Sequence, residues 1–281
     1  MSFADRLAGV AAPDLAQYRP FRADGVSVGF LKADFAEQLR EFGTVFHVGD
    51  DAVDLNPALR TPAARTRAVE QTLQALRDRG HISGWRGEHY PVSASFTAKP
   101  LFTMERAAVP MFGIRAYGVH MNGYVRAGKK LKMWIGQRSL TKPTAPGKLD
   151  QLVAGGQPAG LSLMDNLVKE CKEEANIPRS LARRAQPVGA ISYCTERSEG
   201  LRNDALFLYD LEIPKSFTPR NTDGEIERFY LWPIERVIER VRDTDDFKFN
   251  CGLIVIDFLI RWGYIEPEHP DYIPLLKGLH G

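Results

Sequence analysis

Apolar and polar positions in the first part of the chain follow two periods in turn. Apolar residues alternate at 26–30 and again at 44–48, which indicates short strands, and a helical pattern at 33–43 lies between them. The strongest helical pattern covers residues 61–80, where Val69, Leu73 and Leu76 recur at helical spacing. Thr61 followed by Pro62 is typical of a helix start. Residues 1–112 are therefore predicted to form a small α+β domain.

The pattern changes to strands in the second part. Residues 117–125 and 131–139 alternate on either side of a glycine-containing turn, and strand-like runs return at 186–194, 204–213 and 224–232. Pro233 is predicted to open a helix that ends near residue 242, and Asn250 is predicted to cap a buried helix. The proline-bounded stretch 100–110 reads as irregular and marks a boundary. We expect an α/β domain at 113–281, with a mixed sheet between helices.

A helix predicted at 163–175 stands out because it gathers acids on one side. Ser162, with Asp165 three residues on, resembles a capping box, and Asn176 before Pro178 favours a helix end. The acids are Glu170, Glu173 and Glu174. At about 100° per residue these carboxylates share one arc, at the seam between an apolar face and solvent.

Two readings of this acidic arc remain open from composition alone. Lys169 and Lys172 are close enough in sequence to make it an ordinary solvated face. The alternative is a site for Mg²⁺ or Mn²⁺, since such hard cations take carboxylate oxygens and leave positions for water and substrate phosphate. Gly155 and Gly156 just upstream permit a sharp turn or a close backbone approach.

The spacing from Gly155 onward resembles the Nudix box, G-x5-E-x7-R-E-U-x-E-E-x-G-U, in which U is aliphatic. The matching positions are Gly155, Glu170, Glu173, Glu174 and Ile177. The departures are Leu161 for the first glutamate, Lys169 for the arginine, Cys171 for an aliphatic residue and Asn176 for the late glycine. Leu161 removes one carboxylate, so we expect its truncation to weaken packing and to spare metal affinity.

Further segments resemble one branch of that family, often labelled thiamine-pyrophosphokinase-related. They are WIGQRSLTKPTAPGKLDQLVAGG, SEGLRNDALFLYDLEIP, DGEIERFYLWPIERV and CGLIVIDFLIRWGYIEPEHPDY, within residues 117–281. The branch includes hydrolases of oxidised or otherwise damaged thiamine diphosphates. The resemblance implies an α/β/α Nudix fold and a metal-dependent pyrophosphohydrolase that acts on a small-molecule diphosphate and yields a monophosphate and phosphate.

The resemblance also implies roles for individual residues. Metal ligands are expected at Glu170, Glu173 and Glu174, and the candidates for catalysis are Glu173, Glu174 and Glu225. The substrate anion is expected to meet Arg138, Lys142, Lys148 and Arg202, since each lies in a segment beside the box. Lys169 is expected to orient a box carboxylate. Tyr193 is one of several aromatic residues that either stack on a substrate ring or pack in the core.

Composition limits the partners. A net charge of +2 over 281 residues argues against a broad nucleic-acid surface, and the apolar run at 253–260 is too short to span a membrane. The three cysteines lack metal-ligand spacing, so we expect reduced thiols, a cytoplasmic protein and, as one role for residues 1–112, a homodimer surface. The open alternatives are a nucleoside diphosphate substrate, a catalytically silent ligand sensor and an allylic diphosphate isomerase.

Overall fold

A computed structural model describes residues 2–128 and 130–280. The helices are α1 (Ala33–Gln38), α2 (Pro62–Asp78), α3 (Leu163–Ala175), α4 (Arg179–Ala182), α5 (Ile234–Asp243), α6 (Phe249–Arg261) and α7 (Tyr272–His280). The strands are β1 (Tyr18–Ala23), β2 (Val26–Lys32), β3 (Phe46–Val48), β4 (Val53–Leu55), β5 (His89–Val92), β6 (Phe102–Glu105), β7 (Arg115–Ala127), β8 (Lys130–Arg138), β9 (Leu149–Asp150), β10 (Val153–Gly156), β11 (Gln186–Arg197), β12 (Gly200–Glu212) and β13 (Ile226–Pro233).

The N-terminal unit is built around a sheet with strand order β2-β1-β4-β3, in which β1 and β4 are parallel. A separate hairpin, β5–β6, completes the unit, and α2 covers the core. That core is aromatic: Phe21, Phe46, Phe102 and Phe112 are at most 1% exposed. Burial of each such side chain stabilises the fold by about 1.5–3 kcal/mol. A unit of this size can therefore have a hydrophobic core of its own.

The second unit is a mixed sheet between two helical layers. Its strand order is β11-β12-β7-β8-β13, with β12 and β7 parallel, and β10 and β9 pair with β7 and β8. Helices α3 and α4 pack on one face of the sheet, and α5, α6 and α7 pack on the other. This mixed α/β arrangement confirms the fold class predicted from the sequence.

Backbone hydrogen bonds tie the two units together. Leu201 N donates to Pro110 O at 2.8 Å, and Ala159 N donates to His89 O at 3.0 Å. The last of these joins hairpin β5–β6 to the loop before α3. The predicted division at residue 112 falls between β6 and β7.

Two local predictions were wrong. The stretch predicted to be irregular contains β6, which pairs with β5 from Phe102 to Glu105. Asn250 does not cap α6, because Lys248 is the N-cap residue and Asn250 lies inside the helix, donating to the Tyr193 hydroxyl at 3.2 Å. Among the described residues, no helix is both long and apolar enough to cross a bilayer.

Candidate active site

Helix α3 forms with the ends that the sequence indicates. Ser162 Oγ accepts a hydrogen bond from Asp165 N at 3.1 Å, and Asn176 takes the left-handed conformation with φ of 52°. A short polar residue tolerates that conformation at a helix end, where a β-branched residue would be strained. The helix register, and hence the direction of its acids, is fixed from both ends.

The acids of α3 differ in their exposure. Glu174 is buried, the Glu170 side chain is 13% exposed and the Glu173 side chain is 46% exposed. Lys169 Nζ lies 3.1 Å from Glu170 Oε1 and 2.8 Å from Glu173 Oε2, so these two carboxylates converge on one cation. Burial alone would lower the pKa of Lys169, but the two carboxylates outweigh it and raise that pKa. Lys169 therefore contacts two of the box carboxylates, and its role in orienting them stays a prediction.

Gly155 and Gly156 matter because other groups approach them closely. Both belong to strand β10 and neither has a positive φ. They therefore do not form the tight turn considered from the sequence, but allow other groups to pack closely against the strand. A Cβ at Gly155 would lie 2.4 Å from Glu170 Cγ and Cδ, and one at Gly156 would lie 1.5 Å from the Tyr90 hydroxyl. Gly155 therefore makes room for the Glu170 carboxylate, and Gly156 makes room for the N-terminal unit.

The buried Glu174 is held by the same strand. Its Oε2 accepts a hydrogen bond from Ala154 N at 2.8 Å. Burial raises the pKa of Glu174 well above its usual value, and burial also raises the pKa of Glu170. Glu170 and Glu173 line a cleft, whereas Glu174 is not among the described residues that do so.

The segment before β13 docks on the end of α3. Thr222 Oγ1 donates to Glu173 O at 2.5 Å, and an Asn221-centred turn then leads to Glu225. The Glu225 carboxylate pairs with Lys142, and both residues line the cleft. Partial burial acts to raise the pKa of Glu225, but the Lys142 ammonium outweighs it and holds that pKa below its usual value.

The cleft has a volume of about 860 Å³ and brings together most of the residues singled out from the sequence. It is lined by Gly155, Gly156, Lys169, Glu170, Glu173, Glu225, Arg138, Lys142, Lys148 and Arg202. We call Glu170 and Glu173 on α3 the acidic wall.

Several of the predicted phosphate-binding cations already have partners. Arg138 Nη1 lies 2.8 Å from Asp150 Oδ2, and its Nη2 donates to Thr144 O at 2.7 Å. Lys148 donates to Asp245 O, and Arg202 Nε lies 2.8 Å from Glu199 Oε1. Arg138 is buried, so it shapes the loop that follows β8 rather than presenting a free guanidinium.

Part of the cleft wall comes from the N-terminal unit, and sequence reasoning missed it. Arg86, Glu88, Tyr90 and Arg106 line the same cleft as Glu170 and Glu173 of α3. Arg106 Nη1 pairs with Glu88 Oε2 at 2.8 Å, and its guanidinium carbon lies 5.5 Å from the centre of the Tyr90 ring. We call Arg86 and Arg106 the arginine wall. No local pattern marks these residues, since only the packing of hairpin β5–β6 against β10 brings them here.

A buried cluster of His120, Asp150 and Cys251 has ligand atoms within 4.8 Å of one another, close enough to hold a metal ion. Asp150 already accepts from Arg138 and from Cys251 Sγ. Gln151 donates to Cys251 O, so its Oε1 accepts from His120 Nδ1 at 3.0 Å. Burial lowers the pKa of His120 to about 4. Hydrogen bonds within the protein therefore already engage all three side chains.

The acidic wall suits a hard divalent cation. Carboxylate oxygens are the ligands that Mg²⁺ and Mn²⁺ prefer, and the space above Gly155 that a Cβ would fill holds the Glu170 carboxylate in place. With cationic side chains also in its lining, the cleft can hold a small, strongly anionic ligand beside the acidic wall.

Comparison with known proteins covers both units. Residues 4–116 match a family described as "Domain of unknown function (DUF4743)". A solved structure of DR0079 from Deinococcus radiodurans covers 60% of this chain and 98% of that one, at 16% identity and a TM-score of 0.48.

Two plant proteins are similar over nearly the whole chain. "Nudix hydrolase 20, chloroplastic" of Arabidopsis thaliana is 49% identical over 275 residues, which are 94% of this chain and 73% of that protein. "Nudix hydrolase 24, chloroplastic" of the same plant is 46% identical over 267 residues, again 94% and 73%. With an acidic helix at the box position and relatives this similar, the chain belongs to the Nudix hydrolase family.

Proposed function

We propose that this Nudix hydrolase is a metal-dependent pyrophosphohydrolase that cleaves the diphosphate of a thiamine-diphosphate-like compound, in an oxidised or damaged form. Water adds to a phosphorus atom, the bridging P–O bond breaks, and the products are the monophosphate and inorganic phosphate. The observation behind the proposal is that the Glu170 and Glu173 carboxylates converge on the Lys169 ammonium in a cleft lined with basic side chains.

The ligands proposed for Mg²⁺ or Mn²⁺ are Glu170, Glu173 and the Glu174 oxygen that is not bonded to Ala154. A divalent ion there supplies Lewis-acid neutralisation of diphosphate charge and a template for the attacking water. The protein fixes the direction of these carboxylates through Gly155 and through the capped ends of α3.

Glu225 is proposed as the acceptor of the proton that the attacking water loses. It faces the cleft, and its pairing with Lys142 keeps it ionised near neutral pH. Glu174 is less suited to this task, because it is buried and one of its oxygens is bonded to Ala154 N.

Aromatic side chains in the cleft wall favour a heteroaromatic substrate. Tyr193 and Phe249 line it with ring centroids 5.4 Å apart, and the Arg197 guanidinium lies 4.3 Å from the Phe249 ring centre. The segments that resemble the thiamine-related branch contribute Arg138, Lys148, Arg202, Asp204 and Gly252 to the cleft walls. A volume of about 860 Å³ falls within the range of small-molecule sites.

A screen of diphosphate compounds tests the substrate. Thiamine diphosphate, its oxo and oxy forms, and nucleoside diphosphates are incubated with the full chain and Mg²⁺ or Mn²⁺, and the products are identified by mass. We expect release of phosphate and a thiamine-type monophosphate. Turnover of nucleoside diphosphates alone would replace the thiamine assignment with the nucleotide one.

Glu173→Gln tests the catalytic assignment. Because the Glu173 side chain is 46% exposed, the fold should survive, and loss of a metal ligand should lower metal-dependent hydrolysis about 100-fold or more. The matched control is Glu235→Gln, an exposed glutamate on α5. Undiminished hydrolysis in Glu173→Gln would remove the acidic wall from the mechanism.

A further inference from the structure

We infer that the arginine wall, Arg86 and Arg106, binds the phosphate groups of the substrate in the cleft that the acidic wall also lines. The phosphate-binding function of this site would then be divided between the two units. The inference rests on the proposed diphosphate substrate and extends it, because it gives the N-terminal unit a direct part in binding.

Contacts around Gly156 bring the two walls together. A Cβ at Gly156 would lie 1.5 Å from the Tyr90 hydroxyl and 3.5 Å from Arg106 Cζ. Gly156 directly follows Gly155, against which Glu170 packs. The Arg106 guanidinium is therefore a near neighbour of the strand that shapes the acidic wall, while its side chain stays 46% exposed.

Arg106 is paired with Glu88, and other cations that line the cleft are also paired with acids. Lys169 bridges Glu170 and Glu173, and Lys142 pairs with Glu225. Arg86, by contrast, is exposed, and its guanidinium makes no hydrogen bond or ion pair within residues 2–128 and 130–280. An exposed, planar guanidinium with unused donors in an anion-binding cleft is suited to bidentate contact with phosphate.

A buried carboxylate holds both arginines in position. Glu105 is 0% exposed, and its Oε1 accepts hydrogen bonds from Arg86 N at 2.9 Å and Ala107 N at 3.1 Å. Its Oε2 accepts from Gly87 N at 3.0 Å. One carboxylate thus fixes the backbone on both sides of the hairpin where Arg86 and Arg106 begin. Glu105 is a positioning residue, because it bonds only to backbone donors here.

The arginine wall interacts electrostatically with carboxylates that line the cleft. The positive charges of Arg106 and Arg86 help to hold the pKa of Glu225 below its usual value, after the larger influences of burial and Lys142. Arg106 also interacts electrostatically with Glu170. A diphosphate bound in the cleft would therefore lie near the positive charges of Arg86 and Arg106 as well as near the proposed metal ligands.

Equilibrium binding of methylenediphosphonate, whose bridging carbon resists hydrolysis, tests the inference without requiring turnover. Calorimetry with the full chain in Mg²⁺ compares the parent protein with Arg86→Gln and Arg106→Gln. The matched control is Arg67→Gln, which removes an exposed arginine from α2 in the same unit. We expect each wall variant to bind about 10- to 100-fold more weakly, which is typical of a lost charged hydrogen bond, and the control to be unchanged.

Two further measurements separate this inference from the proposed function. Mn²⁺ affinity, followed by electron paramagnetic resonance, should stay the same in both arginine variants, since neither arginine is a proposed ligand. Parent-like methylenediphosphonate affinity in both variants would overturn the inference while leaving hydrolysis intact. A failed substrate screen with arginine-dependent methylenediphosphonate binding would instead overturn the substrate and keep the arginine wall.

Discussion

The two walls of the cleft arise in different ways. The acidic wall lies on one helix whose caps, periodicity and acids fall within residues 162–176, so its geometry is local. The arginine wall depends on a hairpin whose strands are joined by a connection from Val92 to Phe102 and whose docking partner, β10, begins at Val153. One wall of a cleft can thus depend on local sequence while another is assembled by tertiary packing.

Gly155→Ala should break the acidic wall while leaving the arginine wall in place, and we expect it to have the largest effect. The new Cβ would lie 2.4 Å from Glu170 Cγ and Cδ, so the carboxylate must move. Mn²⁺ affinity should fall about 10- to 100-fold, as it does when the support of a ligand is lost. Titration of Mn²⁺ measures this loss.

The control for that variant is Gly43→Ala. Gly43 has φ of −59°, and the nearest atom to a Cβ there would be 3.7 Å away, so the substitution should leave Mn²⁺ affinity unchanged. Equal Mn²⁺ affinity in Gly155→Ala and Gly43→Ala would show that Glu170 does not contact the ion.

Glu105→Gln should loosen the arginine wall alone, with a smaller effect. If the amide oxygen takes the Oε1 position, its NH₂ group faces the Gly87 N–H, and a buried donor is left unsatisfied. The free energy of unfolding should fall by about 1–3 kcal/mol, measured by urea denaturation. KM should rise more than kcat falls, because Glu105 acts through Arg86 and Arg106.

A surface glutamate provides the comparison for Glu105. Glu41 pairs with Arg79 at 2.6 Å, but its side chain is 62% exposed, so Glu41→Gln should cost no more than about 1 kcal/mol. A KM change of the same size in Glu41→Gln would mean that Glu105 has no special connection to the site.

Leu161→Ala should have the smallest effect of these variants. It tests the alignment of the box, in which Leu161 stands at the position of the first glutamate. From the sequence we expected this truncation to weaken packing, but Leu161 is 40% exposed, so the loss of packing should be small. Stability should change by less than about 0.5 kcal/mol in thermal unfolding, and Mn²⁺ affinity should not change. A large loss of Mn²⁺ affinity would place Leu161 next to the ion and shift the alignment.

The sequence predicted features that depend on short-range pattern. Helix α3 was predicted at 163–175, between Ser162 and Asn176, because a cap, a helical period and a residue that tolerates the left-handed conformation are all local signals. The mixed sheet was predicted because β11, β12 and β13 alternate clearly. Hairpin β5–β6 was missed, since Pro91 and the flanking prolines resemble a linker when pairing with a distant strand is unknown.

Some residues of the candidate site were also predicted from local spacing, whereas the environment of others depends on tertiary contacts. Glu170 and Glu173 reached the cleft as their spacing indicated, whereas burial of Glu174 depends on β10 and was not visible in the pattern. Arg138 appeared to be a free phosphate-binding residue until its ion pair with Asp150 was seen. The spacing of residues along a helix indicates where a side chain points, but only the folded structure shows which partners that side chain already binds.

The backbone bonds between the units have a consequence for dissection of the protein. Leu201 N and Ala159 N, both in the catalytic half, depend on Pro110 O and His89 O for their acceptors. A fragment starting at residue 113 would lose these acceptors and uncover Gly156, whose neighbour Tyr90 would be gone. We therefore regard the cleft as a joint product of both halves, and a fragment intended for crystallisation or directed evolution should retain His89, Tyr90 and Pro110.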